Sequence, residues 1–263
     1  MRKPIALAAN GERRVPPSAI FNWLSAGFRD LRAHPGPGLT HGLAFMIFGW
    51  LLLAVAHDQF WLLAGAYSGF LIVAPVAVTG LYEISRQLQG GVRMPANQVF
   101  AIWKRPDRRM VIFGLLLGLA GTGWVLTSAG FITLFAPVPV NKPLDFLRHV
   151  VLAPQSWVFS VWLILGGILA APMFASSVIS MPMLLDKDVS VKQALAISWA
   201  VCSSHPDVMA MWALVLMALV GLGMLTGMLG LIVIIPWLAH ASWHVYRDLV
   251  PANMIVPTTA QRD

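Results

Sequence analysis

Long apolar segments are the feature that most constrains how this chain can fold. Hydrophobic residues make up 58% of the 263 residues and charged residues only 11%, and every acidic residue falls between or at the ends of the apolar segments. Because about 20 helical residues cross the hydrocarbon core of a bilayer, segments of this length predict transmembrane helices. We predict six spans: Leu39–Ala56, Phe60–Leu81, Met110–Ala136, Trp157–Leu185, Val208–Met224 and Met228–His244.

The distribution of basic residues predicts the orientation of these spans. Of the 18 Lys and Arg residues, only Lys142 and Arg148 fall on the side of the bilayer opposite the N-terminus. Since cytoplasmic loops carry the excess of Lys and Arg, both termini should face the cytoplasm, as in a multi-pass protein of the bacterial inner membrane. The formal net charge of +7 is thereby explained without nucleic acid. An even number of spans follows, although Val208–Met224 and Met228–His244 would leave five spans if they formed one bent helix.

A recurring pattern predicts how the spans are grouped. A basic or imidazole residue is followed by proline at His34-Pro35, Arg105-Pro106 and His205-Pro206, each time after a short amphipathic stretch and before an apolar segment. Proline suits the first turn of a helix, where its missing N–H is not needed. We predict an all-α bundle of three helical hairpins, each preceded by a short helix on the cytoplasmic side. The alternative is that any inner-membrane hairpin protein has basic, amphipathic inner loops.

This pattern also sets the domain organisation. Residues 18–250 should form a single transmembrane domain between a flexible cytoplasmic tail, residues 1–17, and a cytoplasmic tail, residues 251–263. The N-terminal stretch lacks the continuous apolar core of a signal peptide.

Ser190 and Gln193 have capping-box spacing at the start of the third amphipathic stretch. The first stretch should lie along the membrane surface with one apolar face, formed by Ile20, Phe21, Leu24, Phe28 and Leu31.

Small residues recur at four-residue spacing within the predicted spans. Such rows let helix backbones approach closely in lipid. We expect them to pack this bundle, with contact to a partner helix as the alternative. The rows are Gly114 with Gly118, Gly167 with Ala171, and Gly223 with Gly227.

The sequence contains no recognisable catalytic motif. No P-loop, nucleophile elbow or H-E-x-x-H motif is present, and no Asp, Glu, Lys or Arg lies deep in a predicted span, where proton-coupled transporters usually need one. Cys202 is the single cysteine, which excludes an intrachain disulfide and a thiolate metal cluster. We therefore predict neither enzymatic activity nor a cofactor.

Histidines form the one constellation that could carry chemistry. His240 and His244 are four residues apart on the last predicted span and share a helix face, and His34, His41 and His205 should lie at similar depth. Imidazoles can ligate a metal or haem iron, which makes His240 and His244 candidate metal ligands, but a usual site needs three or four ligands. The alternative is that these are interfacial histidines hydrogen-bonded to nearby acids or headgroups.

Three segments of the chain carry a family resemblance. FNWLSAGFRDLRAHPGPGLTHGLAF (21–45), SVISMPMLLDKDVSVKQALAISWAVCSSHPDVMAMWA (177–213) and PWLAHASWHVYRDLV (236–250) resemble a bacterial integral-membrane family known as domain of unknown function 2189. The resemblance implies a six-span inner-membrane protein and carries no activity or site residues.

These features together predict a non-enzymatic accessory or scaffolding protein of the membrane. Its partners would be the lipid bilayer and either another membrane protein or further copies of the chain. A channel or facilitator for a small neutral or lipid-like solute is the alternative, because prolines and glycines could shape a path without buried charge. A metal- or haem-binding redox accessory protein using His240 and His244 is the second alternative.

Overall fold

The computed structural model describes residues 15–56, 77–92, 107–153 and 157–250. All regular elements in these ranges are helical. Both predicted tails, except for residues 15–17, lie outside the described residues, as do most of the second predicted span and Arg105-Pro106. The helices are α1 (Ala19–Ala33), α2 (Pro35–Ala56), α3 (Thr79–Gln89), α4 (Arg108–Phe135), α5 (Pro143–Phe146) with a π-helical turn at Leu147–Val151, α6 (Trp157–Ser177), α7 (Ser180–Asp186), α8 (Val191–Ser204), α9 (Pro206–Leu225) and α10 (Leu231–Leu249).

Four helical segments of the described chain are long and apolar enough to cross a membrane. They correspond to the first, third, fourth and fifth predicted spans. The sixth predicted span is represented by α10, which is not among the four because its second half carries His240, His244, Arg247 and Asp248. The four segments are Pro35–Ala54, Arg108–Phe135, Trp157–Asp186 and Pro206–Leu225.

The last two predicted spans are separate helices. A turn between α9 and α10 places Gly227 and Met228 in the left-handed region, with φ of 64° and 69°. The Thr226 hydroxyl accepts a hydrogen bond from the Gly230 amide at 2.8 Å and donates to the Gly223 carbonyl at 2.8 Å. A reversal of this kind interrupts the helix, so the single bent helix considered from the sequence is wrong.

Two histidine–proline dipeptides form nearly identical corners. α1 ends at Ala33 and α2 begins at Pro35, with His34 between them at φ −143° and ψ 65°. His205 has φ −132° and ψ 55° between α8 and α9, which begins at Pro206. The prediction that these prolines start a helix is confirmed at both corners. At the start of α8, the predicted capping box is also present: the Ser190 hydroxyl accepts a hydrogen bond from the backbone N–H of Gln193.

Helix α10 lies at the centre of the larger hydrophobic core and packs against α1, α2, α3, α7 and α9. Two glycines permit the closest of these approaches. A Cβ atom added at Gly27 of α1 would overlap the backbone of Ala241, and one at Gly42 of α2 would overlap the backbone of Ile232. Glycine at these two positions therefore lets α1 and α2 contact the central helix backbone to backbone.

The face of α1 that packs in the core coincides only in part with the predicted apolar face. Ile20 and Leu31 of that face are buried, but Phe21 is 74% exposed, while Trp23 is only 3% exposed. Apolar periodicity does not identify the contact because the helix approaches α10 at Gly27, which contributes no apolar side chain to the pattern. The face that packs in the core consists of Ala19, Ile20, Trp23, Gly27 and Leu31.

A second, smaller core joins the far end of α4 to the start of α6. Ile132, Val150 and Val158 are nearly or fully buried there, and the Trp162 indole donates to the Ser128 hydroxyl at 2.7 Å. Contacts of the α4–α6 hairpin with the rest of the described chain run mainly through α7 and α8. The hairpin therefore leaves much of its apolar surface exposed.

Candidate functional site

The two candidate ligands on α10 lie on the same face of that helix but have different partners. The ring of His240 is fully buried, and its Nδ1 lies 2.8 Å from the hydroxyl of Ser85 on α3. His244 lies one turn later, with Nε2 2.8 Å from a carboxylate oxygen of Asp30 on α1 and Nδ1 3.4 Å from the Gln89 amide nitrogen. The histidines thus connect α10 to α1 and α3.

Asp30 joins these contacts into one network. Burial raises the pKa of the Asp30 carboxyl, but its interactions with His244, Ser85 and His240 together outweigh burial and hold the pKa below the ordinary value. The carboxylate is therefore ionised at neutral pH and accepts hydrogen bonds only. Asp30, Ser85, His240 and His244 are hereafter called the buried network.

The remaining candidate histidines divide into two groups. His34 and His41 lie near enough to His240 to interact with it electrostatically. His41 is buried, and its Nδ1 lies 2.7 Å from the Pro37 carbonyl, which accepts only, so Nδ1 carries the proton. His205 lies instead at the α8–α9 corner, where its Nδ1 faces the Val201 carbonyl and the Ser204 hydroxyl. The structure therefore places His34 and His41 near His240, and His205 at the α8–α9 corner.

The described residues contain no group of three or more His, Cys, Asp or Glu side chains placed to hold a metal ion. Both nitrogens of His244 face protein groups, Asp30 and Gln89, as expected for an interfacial histidine hydrogen-bonded to an acid. The pair His240 and His244 remains a prediction as a metal site. The geometry accounts for His244 without a metal.

Charged residues near the buried network are paired in short ionic contacts. Glu83 of α3, only 5% exposed, accepts two hydrogen bonds from the Arg86 guanidinium at 2.7 Å each and one from Gln87 at 2.6 Å. The Tyr246 hydroxyl donates to Asp186 at 2.7 Å, which joins α10 to α7. Such fully paired groups stabilise one arrangement of the helices, because a buried charge without its partner is costly.

Arg109 connects the start of α4 to the loop between α7 and α8. Its guanidinium contacts Asp107 at 2.6 Å and Asp188 at 2.9 Å, and it donates to the Val189 carbonyl at 2.9 Å. The hydrogen bond from Arg109 also lowers the pKa of the Asp107 carboxyl, against the opposing effect of burial. Asp107 in turn caps α4 by accepting from the Arg109 amide.

The three predicted rows of small residues differ in what they contact. At Gly223, an added Cβ would lie 2.7 Å from Leu231 of α10, so this glycine packs within the bundle. Gly227 forms the turn before α10 rather than a helix contact. At Gly167 of α6, nothing lies within 4 Å of an added Cβ, and Ala171 one turn later is exposed. The third row, Gly114 and Gly118 of α4, is half-buried.

Sequence reasoning missed several residues that build this region. Asp30 and Ser85 were not singled out, since neither stands in a recognisable motif and their contacts with α10 span 214 and 155 residues. Gly27 and Gly42 were also missed. A signal was available for Gly42, because Gly38 precedes it at the same four-residue spacing as the other rows.

Comparison with known proteins gives one match. A family model described as predicted integral membrane protein (DUF2189) matches residues 62–186. No curated protein and no solved structure matches the chain. The matched residues include α3, α4, α6 and α7, and therefore two of the four apolar helices that could cross a membrane. Residues 62–186 thus match the integral-membrane family of unknown function that the sequence resembles.

Proposed function

We propose that this chain is a non-enzymatic accessory or scaffolding protein of the bacterial inner membrane, which holds the transmembrane helices of another membrane protein. In this proposal six spans form three hairpins, and both termini face the cytoplasm. The asymmetric distribution of Lys and Arg supports that orientation. The four apolar helices and the family match support the membrane location.

The observation that carries the proposal is the open surface of α6. Gly167 and Ala171 stand one turn apart on this helix, and no atom lies within 4 Å of a Cβ added at Gly167. Leu163 and Ile168 beside them are 57% and 63% exposed. Lipid alone accounts for exposed leucine and isoleucine. Small residues on such a surface do more, because they let the backbone of another helix approach closely.

The rest of the molecule supplies a rigid base for this surface. The close contacts of α10 at Gly27 and Gly42, together with the buried network, hold α1, α2 and α3 around α10. Arg109 joins the start of the α4–α6 hairpin to the loop before α8. A hairpin held at one end and open along its length can bind a partner helix without rearranging the core.

Co-purification in mild detergent tests the proposal. The wild-type chain should retain a reproducible membrane-protein partner, and Gly167→Leu should reduce its recovery about tenfold, equivalent to about 1.4 kcal/mol, because the larger side chain separates the helix backbones. Ile168→Leu is the matched control, since it changes an exposed neighbour without adding volume, and should retain the partner. Recovery of a lone monomer from every preparation, or equal recovery with both variants, would contradict the proposal.

The size of the recovered complex distinguishes two kinds of partner. A different membrane protein in the complex supports the scaffold proposal. A complex that contains this chain alone, and that Gly167→Leu dissociates, would replace the scaffold with a homo-oligomer built on the same α6 surface. Mass measurement of the detergent-solubilised complex separates the two results.

A further inference from the structure

One side of helix α1 stays largely uncovered. Its buried side, which includes Trp23, Gly27 and Leu31, packs in the core against α10. On the opposite side, residues recur at intervals of three or four and therefore form one stripe along the helix. We call this surface the outer stripe, and its residues are Phe21, Ser25, Phe28, Arg29 and Arg32. Four of them are exposed, Phe21 to 74%, and Phe28 is half-buried.

The position of α1 places the outer stripe at the edge of the membrane. Arg32 lies three residues before Pro35, where the first apolar segment able to cross a membrane begins. The Trp23 indole donates to the Asp248 carboxylate at 3.0 Å, so α1 lies beside the charged end of α10. A helix at this level lies among the lipid headgroups. Because protein covers its buried side, α1 meets the headgroups through the outer stripe.

The charge of the outer stripe favours an anionic headgroup. Asp30 is the one acidic residue of α1, and its carboxylate is turned to α10, where it lies 2.8 Å from Nε2 of His244. Among the residues that the structure describes, neither Arg29 nor Arg32 has a carboxylate partner. The outer stripe therefore carries two positive charges and no acid that neutralises them.

Aromatic rings hold Arg32 in place. Its guanidinium carbon lies 4.7 Å from the centroid of the Phe28 ring. That ring packs against the Trp237 indole of α10, with centroids 5.6 Å apart, and the indole donates to the Leu24 carbonyl at 2.7 Å. An aromatic ring attracts a cation but has no lone pair to accept a hydrogen bond in its place, so the guanidinium donors stay available. Phosphate oxygens match the geometry of these donors.

We propose that the outer stripe binds the headgroup of an anionic phospholipid. The guanidinium groups of Arg29 and Arg32 contact the phosphate, and Phe21 contacts the apolar part of the same lipid. A zwitterionic lipid also has a phosphate, but its own cation offsets the charge, so the arginines favour the anionic lipid. The site requires that α2 crosses the membrane, and it is independent of the proposed scaffold role, which rests on α6.

Native mass spectrometry of the delipidated full-length chain in mild detergent tests the site. The wild-type chain should bind phosphatidylglycerol at least about 10-fold more tightly than phosphatidylcholine, because two arginines act on the net charge of the headgroup. Inorganic phosphate at the same concentration should not displace the lipid, since it has no apolar part. Equal binding of the two lipids, or displacement of phosphatidylglycerol by inorganic phosphate, would overturn the proposal. This comparison does not depend on any variant folding.

Variants locate the lipid on the chain. Arg29→Gln and Arg32→Gln should each weaken binding of phosphatidylglycerol about 5-fold, the usual effect of one arginine beside anionic lipid. Phe28→Leu should weaken it about 2- to 5-fold, because the ring beside Arg32 is lost while an apolar side chain remains. Arg108→Gln is the matched control, since Arg108 is also exposed and begins α4, another helix able to cross a membrane. It should bind like the wild-type chain.

Two results with these variants would overturn the site. An equal loss of lipid in Arg108→Gln and Arg32→Gln would show a general attraction to basic residues at the membrane edge. Unchanged lipid binding in the Arg29→Gln, Arg32→Gln double variant, with loss of a co-purified protein instead, would assign the outer stripe to a protein partner.

Discussion

Replacing Gly42 with alanine should push α2 away from α10. A Cβ at this position would lie 2.6 Å from the carbonyl carbon of Ile232 and 2.7 Å from its Cα, with the carbonyl oxygen closer still, whereas ordinary contacts begin near 3.4 Å. These are backbone atoms of α10, so no side chain can rotate away. One helix must move by roughly 1 Å, which disturbs the neighbouring buried residues Phe45 and Met46.

The expected cost follows from measurements of overpacked cores. Inserting a methyl group into a well-packed site costs about 1 to 3 kcal/mol, and the absence of a flexible neighbour places Gly42→Ala at about 2 kcal/mol. For a chain of this size, that corresponds to a fall in the midpoint of thermal unfolding of about 4 to 8 °C. Thermal unfolding in detergent, followed by circular dichroism or by the intrinsic fluorescence of tryptophan, measures the change.

Gly36→Ala is the control for this prediction. Gly36 lies on the same helix, six residues before Gly42, and nothing lies within 4 Å of an added Cβ. Alanine there should leave the midpoint unchanged or raise it slightly, because alanine favours a helix over glycine by up to about 1 kcal/mol. Equal midpoints for Gly42→Ala, Gly36→Ala and the wild-type chain would refute the inferred close contact between α2 and α10.

Three further predictions concern single side chains. Because the pKa of the Asp30 carboxyl is lowered in the folded chain, the ionised group stabilises the fold above its ordinary pKa of 3.8, and this stabilisation is lost as pH falls through the folded pKa. In a plot of the unfolding midpoint against pH, Asp30→Asn should therefore show a smaller fall at acidic pH than the wild-type chain. Ser190→Ala removes the cap of α8 and should cost about 1 kcal/mol in thermal unfolding, whereas an unchanged midpoint would show that the capping box contributes nothing. Burial raises the pKa of the Cys202 thiol from 9.0 to about 11, so alkylation near pH 8 should be about 100-fold slower than in the denatured chain; equal rates would contradict the burial.

Local features of the helices could be predicted because they depend on neighbouring residues. The prolines that begin α2 and α9 and the capping box of α8 involve contacts within a few positions, and each is found where it was predicted. The same holds for the placing of His240 and His244 on one face of α10, which four-residue spacing determines. Apolar length likewise predicted the four helices that can cross a membrane.

Contacts between distant residues could not be predicted in this way. The buried face of α1 depends on how closely Gly27 approaches Ala241, and apolar periodicity carries no information about the neighbouring helix. For the same reason, spacing suggested a common role for the two α10 histidines, while the tertiary structure gave them different partners.

The division between sequence and tertiary structure in this protein therefore has a simple physical basis. Apolar composition, basic residues and proline positions determined helical character and predicted the membrane location, because each acts through solvent or through bonds within one turn. Tertiary structure alone decided that Asp30 and Ser85 meet His240 and His244, since the contacting residues are 155 and 214 positions apart. Only packing brings such residues together and leaves Nε2 of His240 buried without a partner.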